Sequence, residues 1–319
     1  FTATGDTLCD PKKLIVLESI VFPEPVISIA VEAKSSADQE KMLSGIEKLV
    51  KEDPSTRIRF DADTGQTLLS GMGELHLEIL IDRLKREHKV QVNVGRPQVS
   101  YRETITTPAE GGCDFDRIIA GEQQKIKALV RISPLSKGEG VKVETSVVAN
   151  QRGAGAIITQ DILKAGLSGL REAAEVGPIA GFALIDVKCE LLKMEYSLDC
   201  PISESGAKAS VSFAFRAAIQ KANIQLLEPV MKLEVSVPDD FVGNVISDLS
   251  LRRGKVLSML SRPGGQVVQA EVPLAKLFGY ATDVRSISQG RASFSMVFLE
   301  YSAVSQKAKE EILSALGRI

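Results

Sequence analysis

The spacing of apolar residues predicts the same order of strands and helices twice, once near each end of the chain. Near the start, short runs of alternating apolar residues are typical of strands, and two longer runs with helical spacing are typical of amphipathic helices. The predicted elements are a strand over 26–31, a helix from Ser36, strands over 58–62 and 66–70, a helix over 73–87 and a strand over 90–94. This β-α-β-β-α-β order is the ferredoxin-like pattern.

The same order returns near the end of the chain. Alternating apolar residues predict a strand over 231–237, followed by a helix that starts at Asp239 and ends on Arg252, Arg253 and Gly254. We expect Gly254 to be the left-handed residue that ends this helix. Two strands then meet across 262–265, a helix with proline in its first turn ends near position 290, and a strand over 292–298 follows. The pattern therefore predicts two modules of like topology.

The middle of the chain, residues 98–223, follows a different pattern. Two predicted strands come first, a long helix over 157–176 ends at Gly177 and Pro178, and a further strand and helix follow. Two loops without periodicity, 150–156 and 195–205, each precede a helix, so we expect them at one end of the sheet. The chain is thus predicted to be a multidomain α+β protein, with two ferredoxin-like domains flanking an elongated α+β domain.

The predicted strand over 66–70 joins the next helix through a glycine turn, Gly71-Met72-Gly73. We expect glycine at both positions because it adopts positive φ without steric cost. A nucleotide-binding fingerprint would require a third glycine where His76 stands, so the motif indicates no nucleotide site. We interpret His76 as a packed or hydrogen-bonded structural residue.

Composition excludes several classes of protein. A net charge of −2 over 319 residues is not typical of a protein that coats nucleic acid, so any RNA contact must come from local patches. No apolar run approaches the roughly 18 residues that a membrane span needs. The four cysteines lack C-x-x-C spacing, which favours reduced thiols over zinc ligands. Reduced thiols in turn indicate a cytoplasmic or organelle-matrix location.

The sequence offers no constellation of catalytic residues. The best P-loop candidate, Gly254-Lys255, has Val256 in place of the hydroxyl residue and Leu249 in place of the first glycine. The two histidines, His76 and His88, are more than three turns apart on one predicted helix and cannot share a site. We predict no catalytic residue, no metal ion and no cofactor within this chain.

A basic cluster, Arg252, Arg253 and Lys255, lies at a predicted helix C-terminus. From the residues alone, these charges either complement the helix dipole in solvent or bind a partner.

Several blocks in sequence order closely resemble the C-terminal part of elongation factor G, the ribosomal translocase. They are TGDTLCDP (4–11), FPEPVISIAVEAKSSADQEKM (22–42), the segment from EDPS to LKRE (52–87), GRPQVSYRETI (95–105), LLEPVMKLEVSVP (226–238), DLSLRRGKV (248–256) and VPLAKLFGYATDVRSISQGRA (272–292). The chain begins with Phe1 rather than Met, so we expect it to be part of a longer protein.

The resemblance implies four parts. Residues 1–22 correspond to the end of a preceding β-barrel domain II, 23–96 to domain III, 97–224 with a C-terminal helix over 304–319 to domain IV, and 225–303 to domain V. The resemblance also implies that domain IV has a fold like that of the second domain of ribosomal protein S5. It implies a monomer that binds ribosomal RNA and ribosomal proteins, and that meets tRNA and mRNA in the A site, with no membrane partner. It places GTP and Mg²⁺ in a GTPase domain upstream of Phe1.

The resemblance also implies a set of RNA- or ribosome-binding residues. They are Asn150, Gln151, Arg152 and Gly155 in one loop at the tip of domain IV, Tyr196, Ser197 and Asp199 in the other, and Arg252, Arg253 and Lys255 in domain V. The second tip loop departs from the family's usual Gly-Ser-Tyr-His-Asp-Val-Asp-Ser-Ser, because it lacks both the glycine and the histidine.

Two other functions remain open at this stage. A divergent tip loop also occurs in recycling-type elongation factor G, which splits ribosomes together with ribosome recycling factor. From another class, two ferredoxin-like modules in one chain are compatible with a regulatory protein that binds a small metabolite.

Overall fold

The computed structural model describes residues 25–60, 66–95, 98–119, 121–149, 157–196, 200 and 202–315, together with 4, 7–10, 12–15, 17 and 18. The chain forms two compact units. Unit 1 contains Phe1–Ser100 and Pro229–Leu299, and unit 2 contains Tyr101–Glu228 and Glu300–Ile319. Each unit has its own cluster of buried apolar residues.

The first module of unit 1 is a four-stranded sheet with two helices, extended by a short fifth strand. Its elements are β1 (Ile27–Ala33), α1 (Ser36–Glu52), β2 (Arg57–Phe60), β3 (Thr67–Gly71), α2 (Glu74–Glu87), β4 (Val92–Val94) and β5 (Gln98–Val99). The strand order is β2-β3-β1-β4, and β5 also pairs with β1. The helices bury the apolar faces that the sequence predicts, with Met42, Ile46 and Leu49 on α1 and Leu77 and Leu84 on α2.

Unit 2 is built on a longer sheet with two helices. Its elements begin with β6 (Arg102–Ile105), β7 (Ala109–Ile119), β8 (Glu122–Pro134), β9 (Val141–Thr145), α3 (Gln160–Ala174), β10 (Val187–Tyr196) and α4 (Glu204–Ile219). The strand order is β7-β8-β10-β9, with β9 and β10 parallel and the other pairs antiparallel. β6 lies off this sheet and pairs with residues 224–227.

Two glycines in unit 2 allow a close approach of secondary-structure elements. A Cβ atom on Gly111 of β7 would lie 2.1 Å from the backbone nitrogen of Ala218 on α4. A Cβ atom on Gly169 of α3 would lie 2.7 Å from the carbonyl oxygen of Lys208 on α4. Because backbone atoms cannot move aside as side chains can, both sites require glycine, and α4 packs tightly against β7 and α3.

A buried carboxylate holds the loop that follows α3. Glu103 is fully buried, and its carboxylate accepts hydrogen bonds from the backbone N–H groups of Ile179, Ala180 and Phe182 at 2.9, 2.8 and 3.2 Å. A Cβ atom on Gly177 would lie 2.4 Å from this carboxylate. Backbone N–H dipoles therefore stabilise this buried carboxylate.

The second module of unit 1 repeats the topology of the first. Its elements are β11 (Ile224–Val237), a 3₁₀ turn (Asp239–Phe241), α5 (Val242–Leu251), β12 (Lys255–Arg262), β13 (Gly265–Pro273), a 3₁₀ turn (Leu274–Lys276), α6 (Tyr280–Ile287) and β14 (Ser293–Ala303). The order β12-β13-β11-β14 matches β2-β3-β1-β4 position by position. The prediction of a multidomain α+β protein with two ferredoxin-like modules is confirmed. The last described helix, α7 (Gln306–Ala315), belongs to unit 2.

The remaining features of the described residues are their cysteines, possible membrane helices and possible metal sites. Cys9, Cys113, Cys189 and Cys200 are free thiols. Burial raises the pKa of the Cys189 thiol to about 12, which makes it a poor nucleophile. Among the described residues, no helix is long and apolar enough to cross a bilayer, and no cluster of His, Cys, Asp and Glu could hold a metal ion.

Candidate functional site

The glycine turn before α2 is shaped by close packing and by His76. The backbone N–H of Met72 donates to Nδ1 of His76 at 3.1 Å, and Nε2 of His76 lies 2.8 Å from a carboxylate oxygen of Asp53. Because Nδ1 accepts this hydrogen bond, it carries no hydrogen, and Nε2 is the nitrogen that donates to Asp53. The hydrogen-bonded structural role predicted for His76 is confirmed, because the ring ties the turn to the end of α1.

The reason predicted for the two glycines of this turn is wrong. Gly73 has φ 176°, an extended conformation that any residue adopts, and no φ in the left-handed range occurs at Gly71. Gly71 is needed for space instead, because a Cβ atom there would lie 3.0 Å from Leu77 and 3.1 Å from His76. No heavy atom would lie within 4 Å of a Cβ atom on Gly73.

Alanine substitutions separate these two glycines. We expect Gly71→Ala to lower the free energy of unfolding by about 1–2 kcal/mol through overpacking, and Gly73→Ala to change it by at most about 1 kcal/mol. Urea denaturation followed by circular dichroism measures both. A larger loss for Gly73→Ala than for Gly71→Ala would contradict this account of the turn.

The end of α5 carries the predicted basic cluster and forms a Schellman motif. The N–H of Gly254 donates to the carbonyl of Leu249 at 2.8 Å, and the N–H of Arg253 donates to that of Ser250 at 3.1 Å. The left-handed residue is Arg253, with φ 62°, so the prediction that Gly254 fills this position is wrong. Gly254 is required by space, since a Cβ atom there would lie 2.7 Å from the Leu249 carbonyl oxygen.

Arg252 points into the module rather than into solvent. Its guanidinium donates to the carboxylates of Asp248 and Asp283 and, at 2.7 Å, to the carbonyl of Lys276. The same group lies over the ring of Tyr280, 5.0 Å from the ring centroid. Burial alone would lower the pKa of Arg252, but the hydrogen bonds to the two carboxylates outweigh it and raise that pKa. Arg252 therefore connects α5 to α6, and its geometry favours a positioning role over direct RNA contact.

Arg253 and Lys255 are the exposed members of the cluster. Arg253 occupies a left-handed conformation that costs roughly 1–2 kcal/mol for a residue other than glycine. Lys255 opens β12 opposite Glu271. A strained arginine beside an exposed lysine presents two cations on one turn, and strain of this kind is typical of functional sites.

The described residues around the two predicted tip loops lie together at one end of the unit 2 sheet. Tyr196, the last residue of β10, pairs with Ile126 of β8, and its hydroxyl donates to the carbonyl of Ile157 at 2.9 Å. The N–H of Ser203 donates to the side chain of Gln124 at 2.8 Å. These contacts tie the segments that follow both loops to β8 and β10.

Six of the predicted tip residues lie outside the described residues. They are Asn150, Gln151, Arg152, Gly155, Ser197 and Asp199. Tyr196 is the predicted tip residue whose position is described.

The structure adds a third segment to this end of the sheet, which sequence reasoning missed. The β7–β8 hairpin turns between Ile119 and Glu122, with Gly121 at φ 88°. Because Ile126 of β8 pairs with Tyr196 of β10, the hairpin turn lies at the same end of the sheet as the end of β10. The signal available in the sequence was a glycine, Gly121, between two strand-like runs, which is typical of a hairpin.

Comparison with known proteins identifies the class of chain that these domains compose. Three family profiles match in order, namely elongation factor G domain III over residues 22–96, domain IV over 97–223 and the elongation factor G C-terminus over 225–312. The chain is therefore an array of translation-factor domains.

Individual relatives give the same result. The chain is 58% identical over 319 residues, all of its length, to elongation factor G 1 of Bdellovibrio bacteriovorus, and it spans 45% of that relative. It is also similar to a crystal structure of a protein from Thermus thermophilus, with a TM-score of 0.67 and 30% identity over 94% of this chain and 44% of the other. This chain belongs to the elongation factor G family, and it spans less than half the length of the relatives it matches.

Proposed function

We propose that this chain is the C-terminal, ribosome-binding part of an elongation factor G-type GTPase that promotes GTP-dependent movement of tRNA and mRNA on the ribosome. The observation that carries the proposal is the succession of domains III, IV and V over nearly the whole chain. The 58% identity to elongation factor G 1 supports it. A metabolite-binding function is not favoured by this family membership.

The contribution we propose for this part is positional. The two ferredoxin-like modules bind ribosomal RNA and protein, and unit 2 presents the end of its sheet that carries Tyr196 to tRNA and mRNA in the A site. Following the resemblance to elongation factor G, we place GTP and Mg²⁺ in another part of the parent protein. GTP hydrolysis then takes place in that part, and the domains of this chain respond to it by taking a fixed position on the ribosome.

A single-round translocation assay on the full-length parent protein tests this function. We expect GTP-dependent movement of the mRNA by one codon, and loss of that movement when residues 101–228 are replaced by a short linker. Splitting of ribosomes together with ribosome recycling factor, without any translocation, would instead establish the recycling function.

The turn after α5 provides a sharper prediction about binding. We expect Arg253→Gly to raise the free energy of unfolding by about 0.5–1 kcal/mol, because glycine removes the left-handed strain. The same change removes a cation that we propose contacts ribosomal RNA, so ribosome affinity should fall. Pelleting of the chain with ribosomes at two salt concentrations measures the affinity, and urea denaturation measures the stability.

Two further variants control this experiment. Arg253→Asn keeps a residue that tolerates the left-handed conformation, and it should weaken binding as Arg253→Gly does. Arg262→Gln removes an exposed arginine from the other end of β12 and should leave binding unchanged. Equal binding by Arg253→Gly and the unaltered chain would rule out this RNA contact.

A further inference from the structure

An exposed aromatic ring on unit 2 is flanked by two arginines. Phe213 of α4 is 41% exposed, although it belongs to an otherwise well-buried helix. The guanidinium carbons of Arg117 on β7 and Arg216 on α4 lie 5.7 and 5.9 Å from the centroid of its ring. The buried ring of Phe115 supports it from within, with centroids 5.9 Å apart. We call Phe213, Arg117 and Arg216 the arginine–phenylalanine cluster.

The two arginines of this cluster have no acidic partner among the described residues. In the part of the chain that the structure describes, no carboxylate forms an ion pair with Arg117 or Arg216. Asp116, the acidic residue next to Arg117 in sequence, accepts a hydrogen bond from Gln123 at 2.9 Å and forms an ion pair with Lys125 at 4.0 Å. Both arginines are exposed, so the cluster combines an aromatic ring with two cations that no described carboxylate pairs.

The cluster lies near the end of the unit 2 sheet at which β7 and β8 turn and β10 ends at Tyr196. Arg117 lies two residues before the end of β7, at the base of the hairpin that turns through Gly121. Ile118, next to it, is 74% exposed. The cluster would therefore extend the RNA-binding surface that we propose at this end of the unit 2 sheet.

We propose that the arginine–phenylalanine cluster binds an unstacked segment of RNA, with a base on the exposed part of the Phe213 side chain and the flanking phosphates on Arg117 and Arg216. Aromatic rings and planar guanidinium groups are the side chains on which unpaired bases stack, and arginine also pairs with phosphate in two-pronged geometry. An acidic protein would use the two charges but would leave the ring without a role. The proposal rests on the ribosome binding proposed above.

The absence of tryptophan from the sequence makes a direct test possible. The chain contains none, so Phe213→Trp introduces a single indole at the cluster. We expect a short single-stranded oligoribonucleotide, and ribosomes, to quench its emission, whereas polyglutamate of similar length should not. For the oligoribonucleotide, Phe241→Trp is the matched control, because its ring has one neighbouring arginine among the described residues, Arg291 at 5.7 Å, and we expect no quenching there. Quenching by polyglutamate equal to that by RNA would overturn the proposal.

A charge-removing variant tests the phosphate contacts. We expect Arg117→Gln with Arg216→Gln to weaken ribosome binding roughly tenfold and to reduce the slope of log affinity against log salt by about 1–2. Arg131→Gln is the control, since Arg131 is exposed but already paired with Glu110 and Glu190. Circular dichroism establishes that each variant is folded.

The outcomes separate this inference from the proposed function. If the unaltered chain pellets with ribosomes but the double variant binds equally well and Phe213→Trp is not quenched, the cluster proposal fails and the proposed function stands. If the unaltered chain does not pellet with ribosomes at all, both fail.

Discussion

Replacing the buried Glu103 by glutamine is expected to destabilise unit 2 by about 3 kcal/mol. The carboxylate accepts three backbone hydrogen bonds, and charge-assisted bonds contribute about 1.5–3 kcal/mol each in buried settings. A glutamine amide at this position would turn an NH₂ group toward at least one of the same N–H donors. Urea denaturation, with circular dichroism as the probe, measures the change in the free energy of unfolding.

Two comparisons make the expected loss specific to Glu103. Glu110→Gln removes an exposed carboxylate of unit 2 that pairs with Arg131, and surface pairs of that kind contribute at most about 1 kcal/mol. Glu103→Ala should cost at least as much as Glu103→Gln, because it leaves the N–H groups of the 179–182 loop without any acceptor. A loss of less than about 1 kcal/mol for both Glu103 variants would show that the loop does not depend on this carboxylate.

The second large effect is expected from Arg252→Ala in the second module of unit 1. The change removes hydrogen bonds to Asp248, Asp283 and Lys276, together with the stacking on Tyr280, and it leaves the half-buried Asp248 without its cation. Removal of one partner from such a network costs about 2–4 kcal/mol. We expect the melting temperature to fall accordingly, as measured by circular dichroism.

Lysine at position 252 distinguishes geometry from charge. Arg252→Lys keeps the charge but loses the planar fork that reaches both carboxylates, so we expect it to restore less than half of the lost stability. Arg285→Ala, an exposed arginine on α6, is the matched control and should change stability by at most about 0.5 kcal/mol. Full rescue by lysine would show that charge alone explains the role of Arg252.

The glycines and basic residues show where sequence reasoning reaches its limit. A run of Arg252, Arg253, Gly254 and Lys255 after an amphipathic helix is enough to locate a helix end, and the structure has one there. The same run does not reveal that Arg253 takes the left-handed conformation and Gly254 supplies space, because both are decided by the approach of Leu249 and Val272. The assignment of φ to individual glycines failed at Gly71 and Gly73 for the same reason.

The arginine–phenylalanine cluster shows a second limit. Arg117 lies almost one hundred residues before Phe213, and each belongs to an element whose apolar pattern reads as ordinary core packing. Their meeting follows from the tight contact of α4 on β7, which Gly111 permits. Contacts between distant segments leave no periodic signal in the chain, so only the packed unit shows them.

The sequence by itself determined the order of the elements, the repeated β-α-β-β-α-β topology and the family, because periodicity and block similarity are properties of neighbouring residues. Tertiary structure decided which side chains are available to a partner. It turned Arg252 inward, left Arg253 and Lys255 outside, buried Glu103 against a backbone loop, and placed two arginines on Phe213. The physical reason is that burial and charge pairing depend on residues far apart in the chain, which meet only when the units fold.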